Sequence, residues 1–485
     1  MPKKKKTSVL FAAFEAVPFI KTGGLGDVAG ALPGMLNSKD MDVRVILPKL
    51  SSIPRQYTDK MEYVASLTVP LGWRRQYCGI ETLKHDGVTY YFLDNEYYFK
   101  RDGAYGFGDD SERIAFFSKA ILECLQYLPD FFPELIHCND WHTALVPVFL
   151  HEHYGHLAHY RDIKVLYTIH NLKFQGIFPR WDCGDVLGLT NTPAETQLLW
   201  GDAINFMKGA VCYSDWLSTV SPTYADEICT SYYGEGLDSI FRSRRSRLSG
   251  ILNGIDIKEY DPEHDKLLKT PFNVDDLTGK AEEKARIQKE LGLPVREDVP
   301  MITMISRLTE QKGMDLLVFI LDELLQEDVQ VVVLGIGDAK YEHDMRHFGS
   351  QYPEKCAPVL KFDTDLSHRL YAAADLLLMP SLFEPCGLSQ MIAMRYGTLP
   401  VVRETGGLKD SVTPYNQYTG EGTGFSFSNY NAHELLFTLQ SAVKLYAENP
   451  EAFHQLRRNA MTADFSWVAS AKQYRELYLN LLGKG

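Results

Sequence analysis

Along this chain, short runs of apolar, β-branched residues alternate with stretches of helical periodicity. Ser8–Phe14 (SVLFAAF), Val43–Pro48 (VRVILP), Leu135–Cys138 (LIHC), Lys164–His170 (KVLYTIH), Trp216–Ser221 (WLSTVS) and Leu248–Gly254 (LSGILNG) read as strands apolar on both faces. That pattern marks parallel sheets covered by helices. Residues 61–94 differ: apolar and polar positions alternate, with His85-Asp86-Gly87 as a turn, predicting antiparallel hairpins inserted in the first domain. Lys100–Arg113 (KRDGAYGFGDDSER) is glycine-rich and reads as a mobile surface loop. After Leu252–Pro262 (LNGIDIKEYDP) the series restarts. A charged helix near 276–291 precedes strands in Pro300–Leu308, Val329–Gly337, Ala357–Phe362, Ala374–Ser381 and Thr398–Glu404, each followed by a helical stretch. The two βα series predict an α/β protein of two doubly wound domains, 1–254 and 255–464, with a hinge near 250–262. A closing helix over 465–485 is expected to pack back across that hinge.

Composition narrows the class. A length of 485 residues fits two or more domains, and 45% hydrophobic with 23% charged residues fits a soluble globular chain. No apolar run approaches the roughly 18 residues of a membrane span. The start, MPKKKKTSVLFAAF, imitates a signal peptide, but Glu15 interrupts the apolar run and no small-residue cleavage site follows. Lys3–Lys6 read as a solvated arm. A formal net charge of −13 argues against general nucleic-acid binding, so an anionic substrate would need local basic groups. The eight cysteines (78, 124, 138, 183, 212, 229, 356, 386) form no CxxC pair, which suits free thiols in a reducing cytoplasm.

In doubly wound sheets, ligands sit beyond the C-terminal ends of the strands, so the loops there hold the candidate chemistry. Lys21-Thr22-Gly23-Gly24 opens a helix, where backbone N–H groups and the helix dipole favour an anion. The dinucleotide fingerprint fails here. Gly24 lies about nine residues past the strand, and the next strand ends in Pro48-Lys49 without a carboxylate for a ribose. A phosphate or sugar diphosphate suits Lys21 better. HCNDWHT places Asp140 and His142 at a loop-to-helix junction, and TIHNLKFQG places His170 and Asn171 at a strand end. A metal on His137, His142 and His170 is set aside, because no carboxylate–histidine spacing supports it. In SRLTEQKG, Arg307 and Lys312 would project toward an interdomain crevice and hold a diphosphate. In SLFEPCGLSQ, Glu384 follows a buried strand, and the N–H groups of Cys386, Gly387 and Leu388 line a helix start. Gly406-Gly407 open another turn where an anion could rest.

KTGGLGDVAGALP, HCNDWHTALVP, TIHNLKFQGIFP, LNGIDIKEYDP, SRLTEQKG, SLFEPCGLSQ and TGGLKDSV, in this order from residue 9 to about 412, resemble the bacterial glycogen synthase family, and equally the catalytic core of plant starch synthases. The resemblance implies a GT-B fold: two Rossmann-like domains with the active site in the cleft. It implies a retaining glucosyltransferase that moves glucose from ADP-glucose to the 4-OH at the non-reducing end of an α-1,4-glucan such as glycogen. No metal or cofactor is implied, and neither nucleic acid nor membrane is an expected partner. Arg307 and Lys312 would bind the diphosphate and neutralise the departing phosphate oxygen. Lys21 would close onto the nucleotide, with hydrogen bonds from the backbone of Gly24 and the Ser389 region. Glu384 would hold sugar hydroxyls beside Cys386, Gly387 and Leu388, with His170 and Asn253 also on the glucose and Gly406-Gly407 nearby. Asp140 would lie near the reacting carbon, Phe362 would stack on the base, and Tyr105 would touch the acceptor.

Retention admits a double displacement or a same-face route in which the leaving phosphate takes the acceptor's proton. Strong cation provision without a glycosidase-like carboxylate pair favours the latter. UDP-glucose as donor and a non-catalytic glucan-binding protein are the alternatives. A nicotinamide oxidoreductase built on the same strands is a further reading, against which the failed fingerprint counts and which absence of reduced-cofactor binding would exclude; a phosphorylase is a closer cousin, but no convincing pyridoxal-phosphate lysine motif is found. Without a plastid-type N-terminal extension, a bacterial cytoplasmic enzyme is expected.

Overall fold

A computed structural model describes residues 6–484. Of the basic arm, Lys3–Lys5 lie outside the described residues, while Lys6 donates from Nζ to the Ser38 carbonyl at 2.9 Å. The chain forms two compact units. The first runs to Val220 and adds Ala225–Ile251 and the residues from Trp467 onward, while the second comprises Ser221–Tyr224 and Leu252–Ser466.

The first unit is built on β1 (Thr7–Ala12), β2 (Met41–Pro48), β3 (Glu62–Leu71), β4 (Arg74–His85), β5 (Val88–Asp94), β6 (Leu135–Asn139) and β7 (Lys164–Ile169). Then come β8 (Ile177–Pro179), β9 (Leu199–Trp200) and β10 (Ala203–Asn205), followed by β11 (Trp216–Thr219) and β12 (Leu248–Gly250). The main sheet has the order β12-β11-β7-β6-β1-β2-β5-β4-β3, and β8-β10-β9 form a small separate sheet. The strands from β12 through β5 are parallel. β1 is buried at every position, as a strand covered on both faces must be.

The hairpins over 61–94 are antiparallel and lie within the first unit. β5 pairs in parallel with β2, so β4 and β3 extend the main sheet at its edge. The reason is visible in β5, whose residues Tyr90–Leu93 are buried as in a core strand, while β3 keeps an exposed alternating face. Asp86 (φ 44°) and Gly87 (φ 81°) make the tight turn, with the positive φ values that match strand twist. The C-terminal helix Trp467–Leu481 belongs to this unit. The Tyr478 hydroxyl lies 2.7 Å from His137 Nδ1, and a buried hydrogen-bond chain continues from His137 Nε2 through Thr168 to Ser218, across β6, β7 and β11.

The second unit holds β13 (Met301–Ile305), β14 (Gln330–Leu334), β15 (Cys356–Val359), β16 (Leu376–Met379), β17 (Leu399–Arg403) and β18 (Phe425–Phe427), ordered β15-β14-β13-β16-β17-β18 and all parallel. The order reverses at β13/β16, the switch point where ligands of doubly wound sheets collect. Helix Thr278–Glu290 looks solvated from its charges, yet Lys280, Glu283 and Lys284 are buried. Lys284 pairs with buried Asp375 at 2.8 Å, and Arg457 pairs with the same carboxylate. Lys280 donates to the carbonyls of Ala372 and Tyr396 at 2.9 Å and to Thr398 Oγ1 at 2.8 Å, so its donors are satisfied around β16 and β17 while burial pushes its pKa well down.

Candidate functional site

In the first unit, the loops after β1, β6 and β7 carry the predicted polar residues. Helix Gly24–Leu36 starts at Gly23 without a side-chain cap. Its first turn is held instead by Glu15, 6% exposed. One Glu15 carboxylate oxygen accepts from the Thr22 N–H and, at 2.5 Å, from the Thr22 hydroxyl. Burial raises the Glu15 pKa, and N–H groups of Thr22, Gly23 and Gly26 oppose that rise. Part of the anion-binding capacity of this glycine-rich turn is therefore filled from within the chain. The Gly24 N–H has no partner among the described residues, and a side chain built at Gly24 would meet open space. Lys21 is exposed and pairs with Asp27 at 2.7 Å; burial raises the Asp27 pKa and Lys21 opposes it. The Tyr105 hydroxyl lies 3.0 Å from Thr22 Oγ1, which ties the Lys100–Arg113 loop to this turn.

Asp140 follows β6 directly. Its Oδ1 accepts from the His170 N–H at 2.7 Å and the Asn171 N–H at 3.4 Å, joining the loops after β6 and β7. Burial pushes its pKa up to about 7, against those two donors. The backbone of Asp140 sits at φ 54°, ψ −178°, a region that side chains rarely adopt. The His170 ring faces Asn139 Oδ1 through Nε2 at 2.9 Å, while Asn139 Nδ2 donates to the carbonyls of Ala12 and His137. Because that amide nitrogen is committed to two carbonyls, Asn139 presents an acceptor to His170, and the imidazole proton resides on Nε2. Burial lowers the His170 pKa to about 3, so Nδ1 is a free acceptor at neutral pH. The three histidines considered for a metal have separate surroundings. His137 is held by Tyr478 and Thr168, His142 stacks on Phe14 at 5.0 Å, and His170 is held by Asn139. Among the described residues no group of three or more His, Cys, Asp or Glu is arranged to hold a metal ion.

In the second unit, the loops after β13, β15, β16 and β17 carry the rest. Lys312 lies in a short 3-10 turn before helix Met314–Leu324, and its Nζ is 2.5 Å from Glu384 Oε2. Glu384, 7% exposed, also accepts from Ser381 Oγ at 3.1 Å. Arg307 is exposed and forms no salt bridge among the described residues. Asn253 donates from its N–H and its side chain to the Cys386 sulfur, whose thiol burial pushes up to about 12. Asn253 Oδ1 is buried without a hydrogen-bond partner. The N–H groups of Cys386, Gly387 and Leu388 have no partner among the described residues, and they precede helix Ser389–Arg395. The Ser389 side chain bonds the Tyr371 phenol. Phe362, 84% exposed, stands just before helix Thr364–Ala373, which Asp363 caps.

Gly406 and Gly407 have a packing part in this loop. A Cβ at Gly406 (φ 44°) would overlap the Glu384 carbonyl oxygen, and one at Gly407 the Cys386 carbonyl oxygen. The Gly407 N–H donates to Glu384 O at 3.1 Å. These glycines let the loop after β17 lie directly on the Glu384–Cys386 backbone. Sequence reasoning missed Glu15, Thr22, Asn139, Ser381 and Gln390. Gln390 Nε2 donates to the carbonyls of Cys386 and Gly387 and to Ser411 Oγ, which braces the same loop.

Two family models match the chain: the starch synthase catalytic domain over residues 8–243 and glycosyl transferases group 1 over residues 285–462. Similar curated proteins include glycogen synthases of Desulfitobacterium hafniense, 50% identical over 98% of this chain and 99% of the relative, and of Geobacillus stearothermophilus, 51% identical over 98% of each. The solved catalytic domain of starch synthase IV from Arabidopsis thaliana, bound to ADP and acarbose, aligns with TM-score 0.89 at 34% identity, covering 99% of this chain and 100% of that one. A sucrose-phosphate synthase from Thermosynechococcus elongatus, 17% identical with TM-score 0.62, shares the fold. With two doubly wound units and this likeness running through both, the fold class is GT-B, and the chain belongs to the glycogen synthase family.

Proposed function

We propose that the chain elongates α-1,4-glucan by transferring glucose from ADP-glucose to the non-reducing-end 4-OH, with retention of configuration. The observation that carries this reading is the Lys312–Glu384 pair, a cation and a buried carboxylate 2.5 Å apart beside three unpartnered N–H groups. That combination suits a sugar diphosphate: Lys312 and exposed Arg307 for the phosphates, Glu384 and the amides of Cys386–Leu388 for sugar hydroxyls. Asn253, with its unpartnered Oδ1, and His170, with its free Nδ1, are assigned to the same glucose. Lys21 and the Gly24 N–H are assigned to the nucleotide, Phe362 to the base and Tyr105 to the acceptor. Names of the relatives support glycogen as acceptor, and the ADP in the solved starch synthase supports ADP-glucose over UDP-glucose.

The geometry favours the same-face route. Glu384 is engaged by Lys312 and Ser381, which makes it a fixed hydrogen-bond acceptor instead of a free nucleophile. Phosphate oxygens neutralised by Lys312 and Arg307 would leave and take the acceptor's proton. Labelled glucose should pass from ADP-glucose to glycogen, faster than from UDP-glucose, with α-1,4 linkage in the product. No transfer from either donor, with the folded protein still binding glycogen, would instead identify a non-catalytic glucan binder.

A further inference from the structure

The Glu15 carboxylate lies outside the chemistry assigned above, yet it is the hub of the turn that carries Lys21 and Gly24. We propose that Glu15 is a positioning residue: through Thr22 it locks the Lys21–Gly26 turn and the Tyr105 loop into one unit, so that nucleotide-side and acceptor-side contacts are set together. Three observations carry this. Glu15 is buried, and the Thr22 N–H and hydroxyl converge on one of its oxygens. The Thr22 oxygen also meets the Tyr105 hydroxyl at 3.0 Å. The Tyr105 loop bends at Gly103 and Gly106, both with positive φ, and is built to receive that link: Asp110 takes the N–H groups of Gly106 and Phe107 at 2.6 and 3.0 Å, Arg113 donates to the Ala104 carbonyl at 3.1 Å, and the Tyr105 ring packs on His142 and Trp141 at 5.1 and 6.2 Å.

The direction of the chain follows from chemistry. An ionised carboxylate only accepts, so the Thr22 hydroxyl gives its proton to Glu15 and has only lone pairs left for Tyr105. Tyr105 must then donate to Thr22, which fixes its phenol orientation and leaves the phenol oxygen as an acceptor toward solvent. A valine at position 22 would keep the backbone N–H bond to Glu15 but remove both hydroxyl links. A glutamine at position 15 could still accept both Thr22 donors, but without charge.

The proposal rests on the activity proposed above for the acceptor readout, but amide exchange tests it without turnover. In Thr22→Val, amides of residues 100–109 should exchange about tenfold faster, the loss expected for one hydrogen bond, at unchanged melting temperature. With the wild type active, Thr22→Val and Tyr105→Phe should each raise KM for glycogen about tenfold with kcat changed less than about twofold. The double variant should be no worse than Tyr105→Phe alone. Glu15→Gln should lie between wild type and Thr22→Val, and Glu15→Ala should loosen both segments. Unchanged exchange in Thr22→Val, or multiplicative KM effects in the double variant, would overturn the lock. An inactive wild type would overturn the proposed function instead, and the exchange result would still decide the lock.

Discussion

Replacing Asp140 by asparagine should stabilise this protein at alkaline pH while weakening its activity. The carboxyl is raised to about 7 because burial disfavours its charged form, and only two backbone N–H groups oppose that. Unfolded, the same carboxyl titrates near ~3.9. Between those values the folded chain keeps a proton that the unfolded chain has lost, so stability falls as pH rises from about 4 to about 7 and then levels. Three pKa units at about 1.4 kcal/mol each give about 4 kcal/mol; solvent on the open side of this half-buried group reduces the working figure to ~2–4 kcal/mol. Asparagine keeps an oxygen for the His170 and Asn171 N–H groups and never ionises.

The stability advantage of Asp140→Asn should therefore widen by about 2 kcal/mol between pH 5 and pH 8. Denaturant unfolding, followed by a probe in the first unit at both pH values, measures this. The strained backbone at φ 54° is common to both chains and cancels. Asp140→Gly separates it: strain relief of ~1–3 kcal/mol should appear at every pH, offset by the two lost hydrogen bonds. A gap independent of pH, or asparagine destabilising at pH 8, would refute the argument. Turnover of the asparagine variant should fall by roughly 10²-fold, in line with the trade-off between stability and a strained site.

Lys312→Ala leaves Glu384 buried with only Ser381 as a partner; kcat should fall by about 10²–10³ and the melting temperature should drop, with Lys312→Ala/Glu384→Gln recovering stability but not turnover. Gly407→Ala drives a methyl group into the Cys386 carbonyl and should cost about 3 kcal/mol in denaturant unfolding, with loss of ADP binding by calorimetry. Phe362→Ala should leave stability within ~0.5 kcal/mol, because the ring is exposed, and raise the donor KM about tenfold if it stacks on the base.

The parallel strands could be read from the sequence because burial on both faces leaves unbroken apolar runs, and the site loops because they follow those runs. What could not be read depended on residues meeting across the fold. Glu15 looks like an interruption in an apolar stretch until Thr22 turns back onto it seven residues later. That Gly406 and Gly407 also lie directly against the Glu384–Cys386 backbone is visible only in the folded chain. Lys280 and Lys284 look like solvated helix charges until the carbonyls and Asp375 that receive them come into view. The edge hairpins alternate as an insert would, and only the parallel pairing of β5 with β2 makes them part of the main sheet.

The opposite treatment of two carboxylates bears on the reaction itself. Glu384 has the Lys312 Nζ at 2.5 Å and a serine hydroxyl on the same oxygen, so the lone pairs of that oxygen are partly used. Asp140 has no salt-bridge partner among the described residues and is raised to about 7 by burial. A double displacement needs an ionised, accessible carboxylate facing the sugar carbon and a second group to carry the proton. The first of these carboxylates is engaged, and the second is poised to hold a proton near neutral pH. That division fits a reaction in which the departing phosphate is the base, cations stabilise it, and the carboxylates orient the sugar and the loops around it. A covalent glucosyl adduct trapped on Asp140 with a slow donor analogue would reverse this assignment, and its absence alongside retained configuration would leave the same-face route standing.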